Sequence, residues 1–321
     1  MNEERFLETL FRRLPRPPGE LVVGPGDDCA AIADRDNQLL LIALDQLIGG
    51  RHYANENNHA NQLEPTPPEA VGRKLLTRNL SDIAAMGGTP TFCLTGFAVS
   101  PRHRDRPDWL RRVFEGLLQT AAEYRVHLIG GDLAATDRDD VGSLTILGTV
   151  PVAQVCRRTG ADPCDLLFAT GCFGDSLASG HHLDFSPRLP EGRWLARQGI
   201  AKAMIDVSDG LLLDSLRLAR ASRLAIEMEL AAVPLRNPQR PPETAAGDGE
   251  DYELLFAVAP QRAPELVERW PFPDTPLTRI GSFQANQKPD ILDRRGKSLT
   301  TARRLGYDHY RETCGNHAAS Q

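Results

Sequence analysis

The chain has 321 residues, 41% of them hydrophobic, and a formal net charge of −6. That balance argues against a nucleic-acid partner, since such proteins draw much of their affinity from a basic face that neutralises phosphates. No apolar run approaches the roughly 20 residues needed to span a bilayer, and MNEERFLETLFRRL mixes charges where a secretory signal would keep a basic start and an unbroken apolar run. The expected location is therefore the cytoplasm, with no membrane partner.

A length of 321 residues suggests two domains, at roughly 100–200 residues each. In chain order, Phe6, Leu7, Leu10 and Phe11 form an apolar stripe at helical spacing, which RLPRPPGE ends. Residues 38–45, QLLLIALD, read as a buried strand closing on Asp45, and the polar, proline-rich stretch 51–68 as a loop. Residues 71–88 have helical periodicity and a glycine stop. Strands are expected at 92–99, 126–131 and 143–150, with a helix over 107–125. The basic residues from Arg102 to Arg112 interleave with acidic ones, as on a solvated helix face.

The pattern restarts around 151–165, followed by the strand DLLFATG, a strand end turning into an amphipathic helix over 205–222, and an α/β stretch from about 250 to 310. The expected fold class is α/β plus α+β, with an N-terminal domain over 1–153, a C-terminal domain over 154–310 and a frayed tail over 311–321. The six cysteines, Cys29, Cys93, Cys156, Cys164, Cys172 and Cys314, form no C-x-x-C pair. Reduced packing residues are expected rather than a zinc site or a disulfide framework.

Acidic residues recur where strands end and helices begin. GPGDDCAAI puts Asp27 and Asp28 in a glycine-bounded turn, and LIALD ends on Asp45. NLSDIAAMG sets Asn79 and Asp82 on one helix face, LIGGDL puts Asp132 after two glycines at a strand's end, and IDVSDGL places Asp206 and Asp209 around Ser208, a natural N-cap. Singly, each has a bland reading as a turn former or a helix-dipole partner. Together they converge on a rim and repel one another unless cations intervene, and Mg²⁺, with oxygen ligands and bridges to phosphates, suits them. RRGKS at 294–298 is not a P-loop, because Ile291 stands where the motif requires glycine. His181 and His182, with only Asp184 near, read as surface residues, and no G-x-S-x-G elbow occurs.

GPGDD, the run from Asp45 to His52, NLSDIAAMG, IGGD, IDVSDGL, GDGEDYELLF (247–256) and GYDHY (306–310) occur in the order found in thiamine-monophosphate kinases. The chain resembles that family from about residue 4 to residue 310. The resemblance implies a two-domain aminoimidazole ribonucleotide synthetase-like fold and a homodimer paired through N-terminal sheets. It also implies transfer of a phosphoryl group from ATP to thiamine monophosphate. By position, Asp28, Asp45, Asp82, Asp132, Asp206 and Asp209 match Mg²⁺ ligands of the family. Tyr124, Gly131, Asp132, Arg158 and Ser208 match its ATP contacts, and His52, Glu250 and Tyr307 its thiamine monophosphate contacts.

The chain departs from the family pattern at Ala43 and Leu44, where hydroxyl residues are usual, and at Leu133, where Thr or Ser is common. The loop after His52 is longer by roughly ten residues, and 175–192 is shorter. Two alternatives therefore stand beside the kinase: a paralogue that binds ATP or thiamine phosphate without turnover, and a superfamily enzyme acting on another phosphate acceptor.

Overall fold

The computed structural model describes residues 3–15, 17–55, 64–286, 288–301 and 305–307. The first half contains α1 (Glu3–Phe11), β1 (Leu21–Val23), β2 (Ala30–Ala33), β3 (Gln38–Ile48), α2 (Pro68–Ala85), β4 (Thr89–Val99), α3 (Pro101–Arg104), α4 (Pro107–Tyr124), β5 (His127–Ala135) and β6 (Val141–Pro151). Its strands form one sheet in the order β1-β2-β3-β6-β4-β5, antiparallel except for the β4–β5 pair that α4 connects. The second half contains β7 (Leu166–Thr170), α5 (His181–Asp184), α6 (Leu189–Gln198), β8 (Ala201–Asp206), α7 (Leu211–Ser222), β9 (Ala225–Met228), α8 (Pro242–Ala245), β10 (Leu254–Val258), α9 (Ala263–Arg269), β11 (Leu277–Gln284) and β12 (Ile291–Leu292). These strands form a second sheet, in the order β12-β9-β11-β7-β10-β8. The mixed sheets bear out the expected α/β plus α+β class.

Helix α2 is the centre of the molecule. It packs on β3 and β6 of the first sheet, on α4, and on α5, α6 and β8 of the second half. Burial on all sides explains its apolar positions Val71, Leu75, Leu76, Leu80 and Ile83, each at most 1% exposed. One apolar core runs unbroken from Leu41 and Ile146 through α2 to Met204 and Phe256, so the halves are fused rather than hinged. A second core, with Leu211, Leu216 and Phe283, lies on the other side of the second sheet. Gly72 and Gly116 let α2 and α4 touch backbone to backbone: a Cβ on Gly72 would stand 1.8 Å from the Val113 carbonyl oxygen.

Several local expectations need correction. Strand β3 does not close on Asp45 but continues to Ile48, and only alternate residues are buried: Leu39, Leu41 and Ala43 are buried, whereas Leu44 is 60% exposed. The apolar run therefore marks a one-sided strand whose other face is open. Asp132 likewise sits inside a strand, because β5 pairs with β4 as far as Ala135. Ser208 does not cap α7. The helix starts at Leu211, and the Asp214 carboxylate accepts from the Asp209 and Gly210 amides at 2.9 and 3.1 Å. His182 is buried, its Nδ1 donating to the Ser176 carbonyl oxygen at 3.1 Å, and the His181 Nε2 donates to the Asp251 carbonyl oxygen at 3.0 Å, so this pair packs rather than lying on the surface.

The stripe on α1 stays half exposed at Phe6 and Leu10. Cys29, Cys93 and Cys156 are buried free thiols, as expected of packing residues, whereas Cys164 is exposed and Cys172 half-buried, so these two do not pack in a core. Among the described residues no helix is long and apolar enough to cross a membrane. The tail 311–321 with Cys314, the end of GYDHY after Tyr307, and 56–63 of the long loop lie outside the described residues.

Candidate active site

The site lies where the first sheet, α2 and the second sheet meet. Asp206 ends β8, opposite Leu254 at the start of β10, so the motifs VSDG and GEDYE leave adjacent antiparallel strand ends side by side. Backbone bonds hold them together: the Val207 amide donates to Glu253, the Tyr252 amide to Val207 and the Glu250 amide to Ser208, at 2.8, 2.7 and 2.6 Å. Glu250 and Tyr252 carry positive φ values of 66° and 53°. Non-glycine residues adopt that region only where the surroundings enforce it, commonly at functional sites.

Three carboxylates converge there, with ligand oxygens of Asp28, Asp82 and Asp206 within 4.8 Å of one another. Asp28 comes from the glycine-bounded turn before β2, Asp82 from α2 and Asp206 from β8, so both halves contribute. The Arg158 guanidinium donates to Asp28 Oδ1 at 2.6 Å, and the Ser81 hydroxyl to Asp206 Oδ2 at 2.6 Å. Asp28 Oδ2 is buried with no hydrogen-bond partner among the described residues. Burial first, then the neighbouring carboxylates Asp45, Asp206 and Asp28, pushes the Asp82 carboxyl well above its ordinary range. Burial, then Asp28, does the same for Asp206 and raises Asp27 to about 6. An orphaned carboxylate oxygen among mutually repelling acids is the donor set of a hard cation, and Mg²⁺ fits it.

The other acidic candidates are not members of this trio, although Asp45 stands near enough to Asp82 to help raise its carboxyl. Asp45 Oδ2 accepts from Arg78 Nε at 3.1 Å, and its amide donates to Asn79 Oδ1 at 3.1 Å, so Asn79 serves as a backbone clasp for β3. Asp209 pairs with Arg217 at 2.7 Å, which also binds the buried Asp214. Asp132 lies on β5 in register with Gly96, whereas Asp45 shares its register row with Leu144 and Gly131. Three strand spacings of about 4.8 Å separate the β3 and β5 rows, roughly 14 Å. Adjacent residues of a strand face opposite ways, so Asp132 lies on the open face and Asp45 on the helix face. Gly131 is pressed against β4, where a Cβ would meet the Thr95 carbonyl oxygen at 2.1 Å. Tyr124, at the end of α4, is half-buried beside Glu123 and Arg73.

His52, Ser208, Asp209, Glu250 and Tyr307 line one small cavity of about 50 Å³, together with Arg78 and Tyr252. His52 Nδ1 accepts from the Ile48 amide at 2.9 Å, which places the ring proton on Nε2. The Tyr307 amide donates to the Asp209 carbonyl at 2.8 Å, tying the last described residues to this wall. Behind the wall stands Lys74, fully buried, whose Nζ donates at 2.5 Å to both Glu250 Oε2 and the His52 carbonyl. Burial lowers the Lys74 pKa to about 8, against the pull of Glu250. Lys74, Arg78 and Asp82 repeat at i, i+4 and i+8 along one stripe of α2. Two of these three are cations, and their sequence signal is charge recurring every four residues between the apolar positions of α2.

Known proteins share this architecture. The chain matches the AIR synthase related protein N-terminal domain over residues 26–150 and the corresponding C-terminal domain over 173–293. It is 36% identical over 295 residues to thiamine-monophosphate kinase of Rhodopirellula baltica, covering 87% of this chain and 88% of the relative. It is 30% identical over 340 residues to the enzyme of that name from Escherichia coli K12, covering 96% and 98%. A solved structure of AaThiL complexed with AMPPCP and TMP superposes with a TM-score of 0.75 at 26% identity, covering 96% of this chain and 97% of that one. The chain therefore belongs to the thiamine-monophosphate kinase family, within the AIR synthase-related proteins.

Proposed function

We propose that this protein transfers the γ-phosphoryl group of ATP directly to the phosphate of thiamine monophosphate, giving ADP and thiamine diphosphate in the cytoplasm. The observation that carries this reading is the adjacency of two sites: the carboxylate trio and, on the same strand ends, the cavity walled by His52, Glu250 and Tyr307. The names of the relatives support the same reaction.

Asp28, Asp82 and Asp206 would hold Mg²⁺, with Asp45 and Asp209 in reach of further ions. Bound there, Mg²⁺ neutralises the polyphosphate charge so that two anions can approach. Arg158, now forked onto Asp28, carries paired donors suited to a nucleotide phosphate. Ser208, Tyr124 and Gly131 are the other proposed ATP contacts. Glu250 and His52 orient the acceptor, and Tyr307 offers a ring to stack on it. One acceptor phosphate oxygen then attacks phosphorus in line, the bond to the ADP oxygen breaks, and positioning supplies most of the rate. No enzyme-bound phosphate is required.

Asp132 and Gly131 sit too far from Asp45 to join it within one chain. We assign them to a homodimer site, in which a second copy covers the open face of the first sheet. Leu44, Phe92 and Leu94 leave that face apolar and 39–60% exposed. Sedimentation velocity should show a dimer that Leu94→Glu dissociates, with turnover lost on dissociation. A wild-type monomer with full turnover contradicts this assignment.

The kinase reading is tested by ³¹P NMR of the purified protein with Mg²⁺, ATP and thiamine monophosphate. Thiamine diphosphate should appear in step with ADP. ATP binding without any reaction dependent on thiamine monophosphate would instead identify a non-catalytic paralogue.

A further inference from the structure

Tyr252 is the largest of the fully enclosed side chains, 2% exposed, yet its hydroxyl has no hydrogen-bond partner among the described residues. Buried phenol groups nearly always find one. The exception here lies in the wall of the cavity shared by His52, Glu250 and Tyr307. The ring cannot turn away to seek a partner. It stacks on Phe185 with centroids 4.0 Å apart at 12°, and its backbone is held at φ 53° with the amide bonded to Val207. A phenylalanine would make the same stack without leaving a polar atom unmet, so packing does not account for the hydroxyl.

Resting on the kinase reading above, we infer that the Tyr252 hydroxyl is a substrate-binding donor that hydrogen-bonds a phosphate oxygen of the acceptor. The charges around the phenol identify that ligand. Arg78 lines the same cavity and offers an incoming anion a counter-charge, while burial keeps the phenol protonated and so a donor. The Glu250 carboxylate, turned to Lys74, makes no bond to the hydroxyl among the described residues. The Tyr252 amide is bonded to Val207, the residue after Asp206 of the trio, so an oxygen bonded to the Tyr252 hydroxyl lies on the side of the cavity next to the proposed metal centre, where the attacking phosphate must be. The thiamine rings have no anionic oxygen to offer there.

The test is isothermal titration of thiamine monophosphate, and separately of unphosphorylated thiamine, into wild type and Tyr252→Phe, each with Mg²⁺ and AMPPCP. The variant should bind thiamine monophosphate about 10- to 100-fold more weakly, the loss of one charge-assisted hydrogen bond. Its affinity for thiamine should be unchanged, and its melting temperature equal to or above wild type. Equal binding of thiamine monophosphate by both proteins, or a parallel loss for thiamine, overturns the assignment and leaves the kinase reading intact. A wild type that binds no thiamine monophosphate overturns both.

Discussion

Replacing Asp82 by asparagine is expected to lower turnover about 10³-fold, as for loss of a preorganised charge at a phosphoryl-transfer site, while the melting temperature stays at or above that of wild type. Both halves of this result follow from one geometry. Asp82 shares a 4.8 Å cluster with Asp28 and Asp206, itself half-buried between these two buried carboxylates. Its carboxyl is held well above the ordinary range by burial and by those neighbours, so ionising it costs the folded state. Asparagine removes that cost along with the ligand.

The pH dependence follows in sign. A carboxyl raised on folding binds more protons in the native than in the unfolded state, so its contribution to stability falls as pH rises from the ordinary carboxylate range through the raised value. Asp27, at about 6, places one such loss between about pH 4 and 6. Without Mg²⁺ the wild type should lose stability across acid to neutral pH more steeply than Asp82→Asn, as thermal melts at several pH values would show. A large fall in melting temperature for the variant at neutral pH would mean that Asp82 is structural.

Lys74→Met should act the opposite way, costing about 3 kcal/mol of stability because it strands one partner of a buried ion pair. Lys74 is fully buried, and its Nζ is bonded to both Glu250 and the His52 carbonyl. Methionine nearly fills the same volume but cannot donate, so Glu250 keeps its charge without a counter-ion and its strained backbone loses an anchor. The KM for thiamine monophosphate should rise while that for ATP changes little. Adding Glu250→Gln should recover most of the stability, since removing both charges is far cheaper than removing one. It should not recover the KM. Chemical denaturation and steady-state kinetics of the two single variants and the double variant decide the point.

Much of this was legible in the residues, and the failures share a cause. Helix α2, the strand-to-helix turn at IDVSDGL and the two-sheet class follow from periodicity and glycine stops. Asp28 and Asp206 are conspicuous as acids at element ends and Asp82 as an acid within a helix, and the family resemblance groups all three as metal ligands. What the residues alone could not supply was which face and which row each acid occupies. Asp45 and Asp132 look alike in sequence, each following an apolar run, yet strand pairing puts them on opposite faces about three strands apart. Leu44 reads as core until the open face of β3 is known.

Lys74 and Arg78 are less legible, because cations on a helix ordinarily point to solvent and nothing in the residues shows that this one is enclosed on all sides. The left-handed backbone of Tyr252 and the lack of a partner for its hydroxyl among the described residues have no sequence signature. Asp214, rather than Ser208, satisfies the amides at the start of α7, since a buried carboxylate four residues into the turn outcompetes a hydroxyl beside it.

The central claim is that the carboxylates brought together from the two halves form a divalent-cation centre for the nucleotide. Mn²⁺ titration followed by electron paramagnetic resonance, with AMPPCP present, tests it most directly. Wild type should take up Mn²⁺ with the nucleotide, and Asp206→Asn, folded by circular dichroism, should bind at least one ion fewer. Equal Mn²⁺ uptake by the two proteins would contradict the account.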